Sequence, residues 1–155
     1  MTPAINTLKK AKVAYTLHHY EHSPASRSYG EEAALKLNVS NTRLFKTLMV
    51  SLDNDELAVS VVPVSGQLNL KACAKSMGSK KVSMADPKKA ERSTGYVVGG
   101  ISPLGQKKQL RTVIDSSALD FETIYVSAGK RGLQIELSAR DLANLTKAIF
   151  AHIST

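Results

Sequence analysis

The sequence predicts an α+β fold: a single domain spanning residues 1–155, with a central mixed β-sheet flanked by helices. Three observations carry this prediction. Segments of helical spacing open on recognisable caps, apolar segments of period two lie between them, and several of the latter are joined by turns short enough for hairpins. The 155 residues fit one domain, and 43% hydrophobic with 22% charged residues suits a chain that buries a sizeable core.

Thr2-Pro3 reads as an N-cap followed by proline at the first helical position, and Ile5, Leu8 and Lys12 continue at helical spacing. Val13, Tyr15, Leu17 and His19 then alternate with smaller or polar neighbours, which predicts a strand ending near Tyr20. Ser28-Tyr29-Gly30-Glu31 matches a capping box ahead of Ala33, Ala34 and Leu37, so a second helix is expected to run to about Asn38. Arg43 to Ser51 and Leu57 to Val64 read as strands, joined as a hairpin through the turn-forming Asp53-Asn54-Asp55.

Asn69 to Gly78 carries Leu70, Cys73, Ala74 and Met77 at helical spacing between an asparagine and a glycine cap. Lys81 to Met84 reads as a short strand, and Asp86-Pro87 opens a basic helix through about Ser93. Strands are expected at Tyr96 to Val98, Thr112 to Ile114, Phe121 to Ser127 and Leu133 to Leu137, the last two flanking the turn Ala128 to Gly132. Ser138 caps a final helix whose Leu142, Leu145, Ile149 and Ile153 form one apolar stripe. There is no internal repeat, low-complexity segment or linker.

Twenty-one Lys and Arg against thirteen Asp and Glu leave a net charge of +8, which favours nucleic acid, nucleotides or acidic membranes without selecting among them. The single cysteine, Cys73, excludes an internal disulfide framework. Nothing at the start resembles a signal peptide, so a cytoplasmic location is expected. Uncharged apolar stretches fall short of the roughly 20 residues that span a bilayer, so no membrane anchor is expected.

Lys46 interrupts the apolar segment Leu44 to Val50 and on a strand would share a face with Leu44, Leu48 and Val50. Either it snorkels to water from the strand's start, or it is a cation at the mouth of a pocket holding a phosphate or carbonyl oxygen. Gly99 to Gly105 follows a strand as a phosphate-binding loop would, but Gln106 stands where the Walker lysine belongs, no hydroxyl follows, and Pro103 removes an amide donor. What remains is a tight loop, either a plain turn or a close backbone approach to a ligand that leaves no room for a side chain at Gly99 or Gly100. Ser127 to Gly132 is likewise either a hairpin turn with solvated charges or the wall of a site. His18 and His22 lie about 13 Å apart on a strand, too far to share a metal ion. Cys73 falls on an apolar helical stripe, as a buried structural thiol does. No serine sits in a Gly-x-Ser-x-Gly elbow.

Met1-Thr2-Pro3-Ala4, Phe45-Lys46-Thr47-Leu48, the long run Arg92 to Lys108, and Thr123 to Ser127 with Gly129-Lys130-Arg131-Gly132 together resemble the YbaK family. The similarity covers essentially the whole chain, and the glycine-proline run is its most specific part. The resemblance implies the fold shared by YbaK and the domain associated with prolyl-tRNA synthetase, here as one aminoacyl-tRNA editing domain. It implies a deacylase acting in trans on cysteinyl-tRNA(Pro), the error that a proline pocket cannot reject by size. Alanine-specific or broad deacylases of the same fold, and a non-catalytic RNA- or nucleotide-binding module, are the alternatives.

The family implies that Lys46 and Gly99 act on the ester, and that Tyr20, Tyr29, Thr47, Gly100, Ser102, Pro103, Ser127 and Gly129 surround the aminoacyl end of the RNA. It implies no cofactor and no metal, because in cysteine-specific members the substrate's own thiol attacks the ester and leaves as a thiolactone. Prolyl-tRNA synthetase is the implied partner, and Lys9, Lys10, Lys12, Lys80, Lys81, Lys107, Lys108, Lys130 and Arg131 are candidates for RNA backbone contacts. The sequence departs from the family at Tyr29, where phenylalanine is expected, and at Gln134, where a relative carries aspartate; Gln134 is assigned no role.

Overall fold

Side-chain caps start four of the helices at the expected residues. Thr2 accepts from the Ile5 amide, Asn69 from Ala72, Asp86 from Lys89 and Ser138 from Asp141, each satisfying an amide that the first turn leaves free. The computed structural model describes residues 1–26 and 28–155. In chain order they form α1 (Pro3–Ala11), β1 (Thr16–His19), α2 (Tyr29–Leu37), β2 (Phe45–Leu52), β3 (Leu57–Pro63), α3 (Leu70–Ser76) and β4 (Val82–Met84). Then follow α4 (Pro87–Thr94), β5 (Arg111–Asp115), a 3-10 turn (Ser116–Asp120), β6 (Ile124–Ser127), β7 (Leu133–Leu137), α5 (Ala139–Thr146) and β8 (Ile149–Ala151).

The strands form two sheets. The expected mixed sheet has the order β4-β2-β3-β5-β8, antiparallel on the β2 side and parallel from β3 to β8. A smaller antiparallel sheet has the order β1-β7-β6. Every residue of β3 is buried, because Val59 and Val61 face a core shared with α1, α5 and the small sheet while Ala58 and Val62 face α3. Just ahead of β2 the chain crosses between the sheets: Leu44 bridges Tyr125 of β6, and the Tyr125 amide donates to the Arg43 carbonyl at 3.1 Å.

Three expectations are corrected. Tyr96 to Val98 is a turn, because left-handed Gly95 (φ 82°) and Gly99 (φ 97°) bracket it and the Gly100 amide closes back on the Val97 carbonyl. The last helix stops at left-handed Lys147, so Ile149 enters β8 beside β5 and Ile153 enters the α3 core instead of extending the stripe. Ser28 precedes α2 but its side chain makes no cap bond.

Candidate functional site

A cavity of about 320 Å³ opens at the seam between the two sheets. Its walls are Tyr20 after β1, Ser28 to Glu31 at the head of α2, Leu44 to Leu48 around β2, Val64 after β3, Gly99 and Ile101 of the glycine loop, and Ser127 with Gln134 from the small sheet. Seven chain segments converge because the chain crosses between the sheets just ahead of β2, which supplies one wall, and the β6–β7 pair supplies the other. The cross-strand register places Gln134 directly between Ser127 and His18.

Lys46 is half-buried in this lining. Among the described residues the basic side chains on carboxylates are His18 and Arg43 on Glu136 and Arg131 on Glu32, which leaves the Lys46 ammonium without a carboxylate partner. A cation beside Leu44, Phe45 and Leu48 feels less dielectric screening than one in bulk water and attracts an anionic or carbonyl oxygen correspondingly more. Two further polar atoms of the lining are buried without a hydrogen-bond partner among the described residues: Thr47 Oγ1 and Gln134 Oε1. Leaving such atoms unpaired costs about 1–3 kcal/mol each.

Of the residues singled out from sequence, Tyr20, Tyr29, Lys46, Thr47, Gly99 and Ser127 come together in this lining. Gly99 is left-handed, and a Cβ there would lie 3.2 Å from the Tyr29 ring. Gly100, Ser102, Pro103 and Gly129 lie outside the lining. A Cβ on Gly100 would lie 2.8 Å from Lys130 Cα, so its missing side chain makes room for the β6–β7 turn. Ser102 is fully buried, with its hydroxyl accepting from the Leu104 amide at 3.2 Å. Pro103 borders a second cavity of about 210 Å³ behind the loop. Gly129 faces the Tyr96 ring, 2.7 Å from where its Cβ would be, and its amide donates to Ser127 Oγ. Within the loop the Val98 amide is taken by Glu91 and that of Gly100 by Val97, leaving Gly99 and Ile101 as the loop residues facing the cavity.

Gln134, to which the sequence assigned no role, is a site residue: an uncharged polar side chain between Leu133 and Ile135, it lines the cavity and is 7% exposed. Arg131, expected on the RNA, is instead paired with Glu32 and has an 18% exposed side chain. Cys73 is fully buried in the α3 core, where burial pushes its thiol pKa up against the opposing hydrogen bond from Ser60. His18 Nε2 lies 2.9 Å from Glu136 Oε1. Hydrogen bonds led by that from Thr123 outweigh burial and hold the Glu136 carboxyl below its usual range. Among the described residues no three His, Cys, Asp or Glu side chains are grouped to hold a metal, and no helix is long and apolar enough to cross a membrane.

The aminoacyl-tRNA editing domain model matches residues 23–145, which include every wall of the cavity except Tyr20. A protein of Enterococcus faecalis provisionally named Cys-tRNA(Pro)/Cys-tRNA(Cys) deacylase EbsC is 40% identical over 154 residues, 99% of this chain and 93% of that protein. The crystal structure of hypothetical protein APE2540 superposes with a TM-score of 0.89 at 25% identity, covering 99% of this chain and 100% of that one. A structure provisionally assigned as a trans-editing enzyme for prolyl-tRNA synthetase gives 0.81 at 19% identity, covering 100% and 99%, and shares the fold. The chain therefore belongs to the aminoacyl-tRNA editing domain family, the YbaK family that its sequence resembles.

Proposed function

We propose that this protein is a trans-editing deacylase that releases cysteine from mischarged cysteinyl-tRNA(Pro) in the cytoplasm, working beside prolyl-tRNA synthetase. The observation that carries the reading is the cavity itself: among the described residues, a cation at Lys46 with no carboxylate partner and two polar atoms at Thr47 and Gln134 with no hydrogen-bond partner, in a lining that contains no cysteine and no histidine. The 40% identity to a relative named for this activity supports the same substrate. The +8 net charge suits an RNA ligand, with Lys9, Lys10, Lys12, Lys80, Lys81, Lys107, Lys108 and Lys130 available to its phosphates.

In this reading the ester carbonyl oxygen lies against the Lys46 ammonium and the backbone at Gly99 and Ile101, donors that stabilise charge developing on it. The Thr47 and Gln134 oxygens accept from the amino group of the aminoacyl moiety. Ser127 is engaged by the Gly129 amide, and the lining holds no histidine to activate it. The substrate's thiol attacks instead: its sulfur bonds to the ester carbonyl carbon, the bond from that carbon to the ribose oxygen breaks, and the thiol proton passes through water to the departing oxygen. The products are uncharged tRNA and a cysteine thiolactone, with no cofactor consumed.

Incubation with cysteinyl-, alanyl- and prolyl-tRNA(Pro), with mass spectrometry of the earliest products, tests this. Cysteine should leave first as its thiolactone and much faster than alanine. Free cysteine as the first product, with alanine released equally fast, would mean that water attacks and that the substrate range is wider.

A further inference from the structure

Arg131 joins three segments around the cavity. Its Nη2 shares two N–H bonds among three acceptors, the Ser23 carbonyl at 2.6 Å, the Ser26 carbonyl at 3.1 Å and Glu32 Oε1 at 3.1 Å, while Glu32 Oε2 accepts from the Ser23 amide at 2.9 Å. The guanidinium carbon lies 4.5 Å from the centroid of the Tyr29 ring, and the same ring packs where a Cβ on Gly99 would stand, with three of its carbons 3.2–3.4 Å from that position. Tyr29 and Glu32 are three residues apart on α2 and so share a helix face. The pair is shielded, at 18% exposure for the Arg131 side chain and 6% for Glu32, so salt screens it weakly. Burial alone would raise the Glu32 pKa, but the Ser23 amide and Arg131 outweigh it and the carboxyl stays below its usual range, ionised and paired at neutral pH.

We propose that Arg131 and Glu32 form a positioning clamp that holds the Tyr29 ring against Gly99 and so sets the width of the cavity, making Arg131 specificity-determining without touching substrate. The inference rests on the cavity being the aminoacyl site. A lysine cannot replace the arginine here. Its ammonium has no planar face to lay on the Tyr29 ring, which the guanidinium covers at 4.5 Å. A released Tyr29 would widen the cavity beside Gly99, weaken the hold on a small side chain and admit a larger one.

The test measures kcat and KM of the full chain on cysteinyl-tRNA(Pro) and on homocysteinyl-tRNA(Pro), whose thiol sits one methylene further out, for Arg131→Lys, Tyr29→Ala and the double variant, with Glu32→Gln as a milder second lesion. Arg131→Lys should raise KM for the cysteinyl substrate with little change in kcat, and lower the kcat/KM preference for cysteinyl over homocysteinyl about tenfold. The double variant should be no worse than Tyr29→Ala, since the two residues act as one unit. An unchanged preference in both Arg131→Lys and Glu32→Gln, or strictly additive effects, overturns the clamp. Hydrogen exchange at the Ser23 amide decides the same point without activity: it should quicken in Arg131→Lys, and unchanged protection also overturns the clamp. If the wild-type chain releases no amino acid from any substrate, the functional reading fails while the exchange result still stands.

Discussion

Gly100 and Lys130 meet backbone to backbone: a Cβ on Gly100 would lie 2.8 Å from Lys130 Cα and 3.1 Å from the Arg131 amide nitrogen. Neither neighbour can rotate away as a side chain would. Gly100→Ala is therefore expected to force the glycine loop and the β6–β7 turn apart, at about 1–3 kcal/mol of stability. Gly78→Ala is the control, because nothing lies within 4 Å of its added methyl and only its left-handed φ of 65° is strained, at about 1–2 kcal/mol. Urea denaturation should show the Gly100 variant with a midpoint below wild type and an unchanged slope. A Gly100→Ala midpoint equal to that of wild type would show that the turn yields freely.

Asp115 supplies a pH dependence of stability. It is 1% exposed at the end of β5, where it accepts from the Ile153 and Ser154 amides at 2.9 and 3.0 Å and from Ser117, pinning the C-terminal segment to the sheet. Burial would raise its pKa, but the bonds from Ser117, Ile153 and Ser154 outweigh burial and lower it from 3.8. A depressed folded-state pKa means stability fully present above the unfolded value and lost as pH falls through the folded one. Thermal melts should hold steady from neutral pH down to the ordinary carboxylate range and fall below it, and Asp115→Asn should flatten that fall. A variant as acid-sensitive as wild type would assign the acid transition to other carboxylates, Glu32 and Glu136 first.

What the sequence made legible follows from where its signals are local. Thr2, Asn69, Asp86 and Ser138 cap helices through their own side chains, and Asp53 to Asp55 turns the β2–β3 hairpin, so these elements were readable. Ile149 and Ile153 misled because helical spacing also fits residues that leave a helix at a left-handed lysine and pair elsewhere. At the site, Lys46 announced itself as a charge in an apolar run. Resemblance placed Gly100, Ser102 and Pro103 around the ligand as one motif, whereas the fold gives adjacent loop residues opposite environments: Gly99 and Ile101 face the cavity, Ser102 faces the core and Pro103 the far side. The bond from Arg131 to Glu32 spans 99 positions, which no local pattern reports.

Lys46 tests the proposed chemistry most directly. With no carboxylate partner among the described residues, the ammonium forms no ion pair that its removal would break. Lys46→Ala should keep the wild-type melting temperature and lose at least tenfold in the rate of cysteinyl-tRNA(Pro) deacylation, about 1.4 kcal/mol of transition-state stabilisation. Gln134→Leu removes an unpaired buried polar atom, so it should match or exceed wild-type stability while weakening substrate binding. Full deacylation by a well-folded Lys46→Ala would remove Lys46 from the site.

Cys73 separates a substrate thiol from an enzyme thiol as the attacking group. Its sulfur is fully buried among Val50, Val113 and Met77, 3.2 Å from Ser60 Oγ, and it is absent from the cavity lining. Burial raises its pKa, which lowers the thiolate population that any nucleophilic role needs. The native protein should therefore resist iodoacetamide and retain activity through the treatment. In Cys73→Ser the new hydroxyl can still bond Ser60, so the variant should fold with at most about 1–2 kcal/mol of lost stability and turn over cysteinyl-tRNA(Pro) within about twofold of wild type. An enzyme-thiol mechanism requires the opposite on both counts: rapid inactivation by the alkylating agent and a serine variant that releases no cysteine. Because the substrate carries the only other thiol in the reaction, masking its sulfur by alkylation should abolish release by the wild-type enzyme, even though the ester and the tRNA are unchanged.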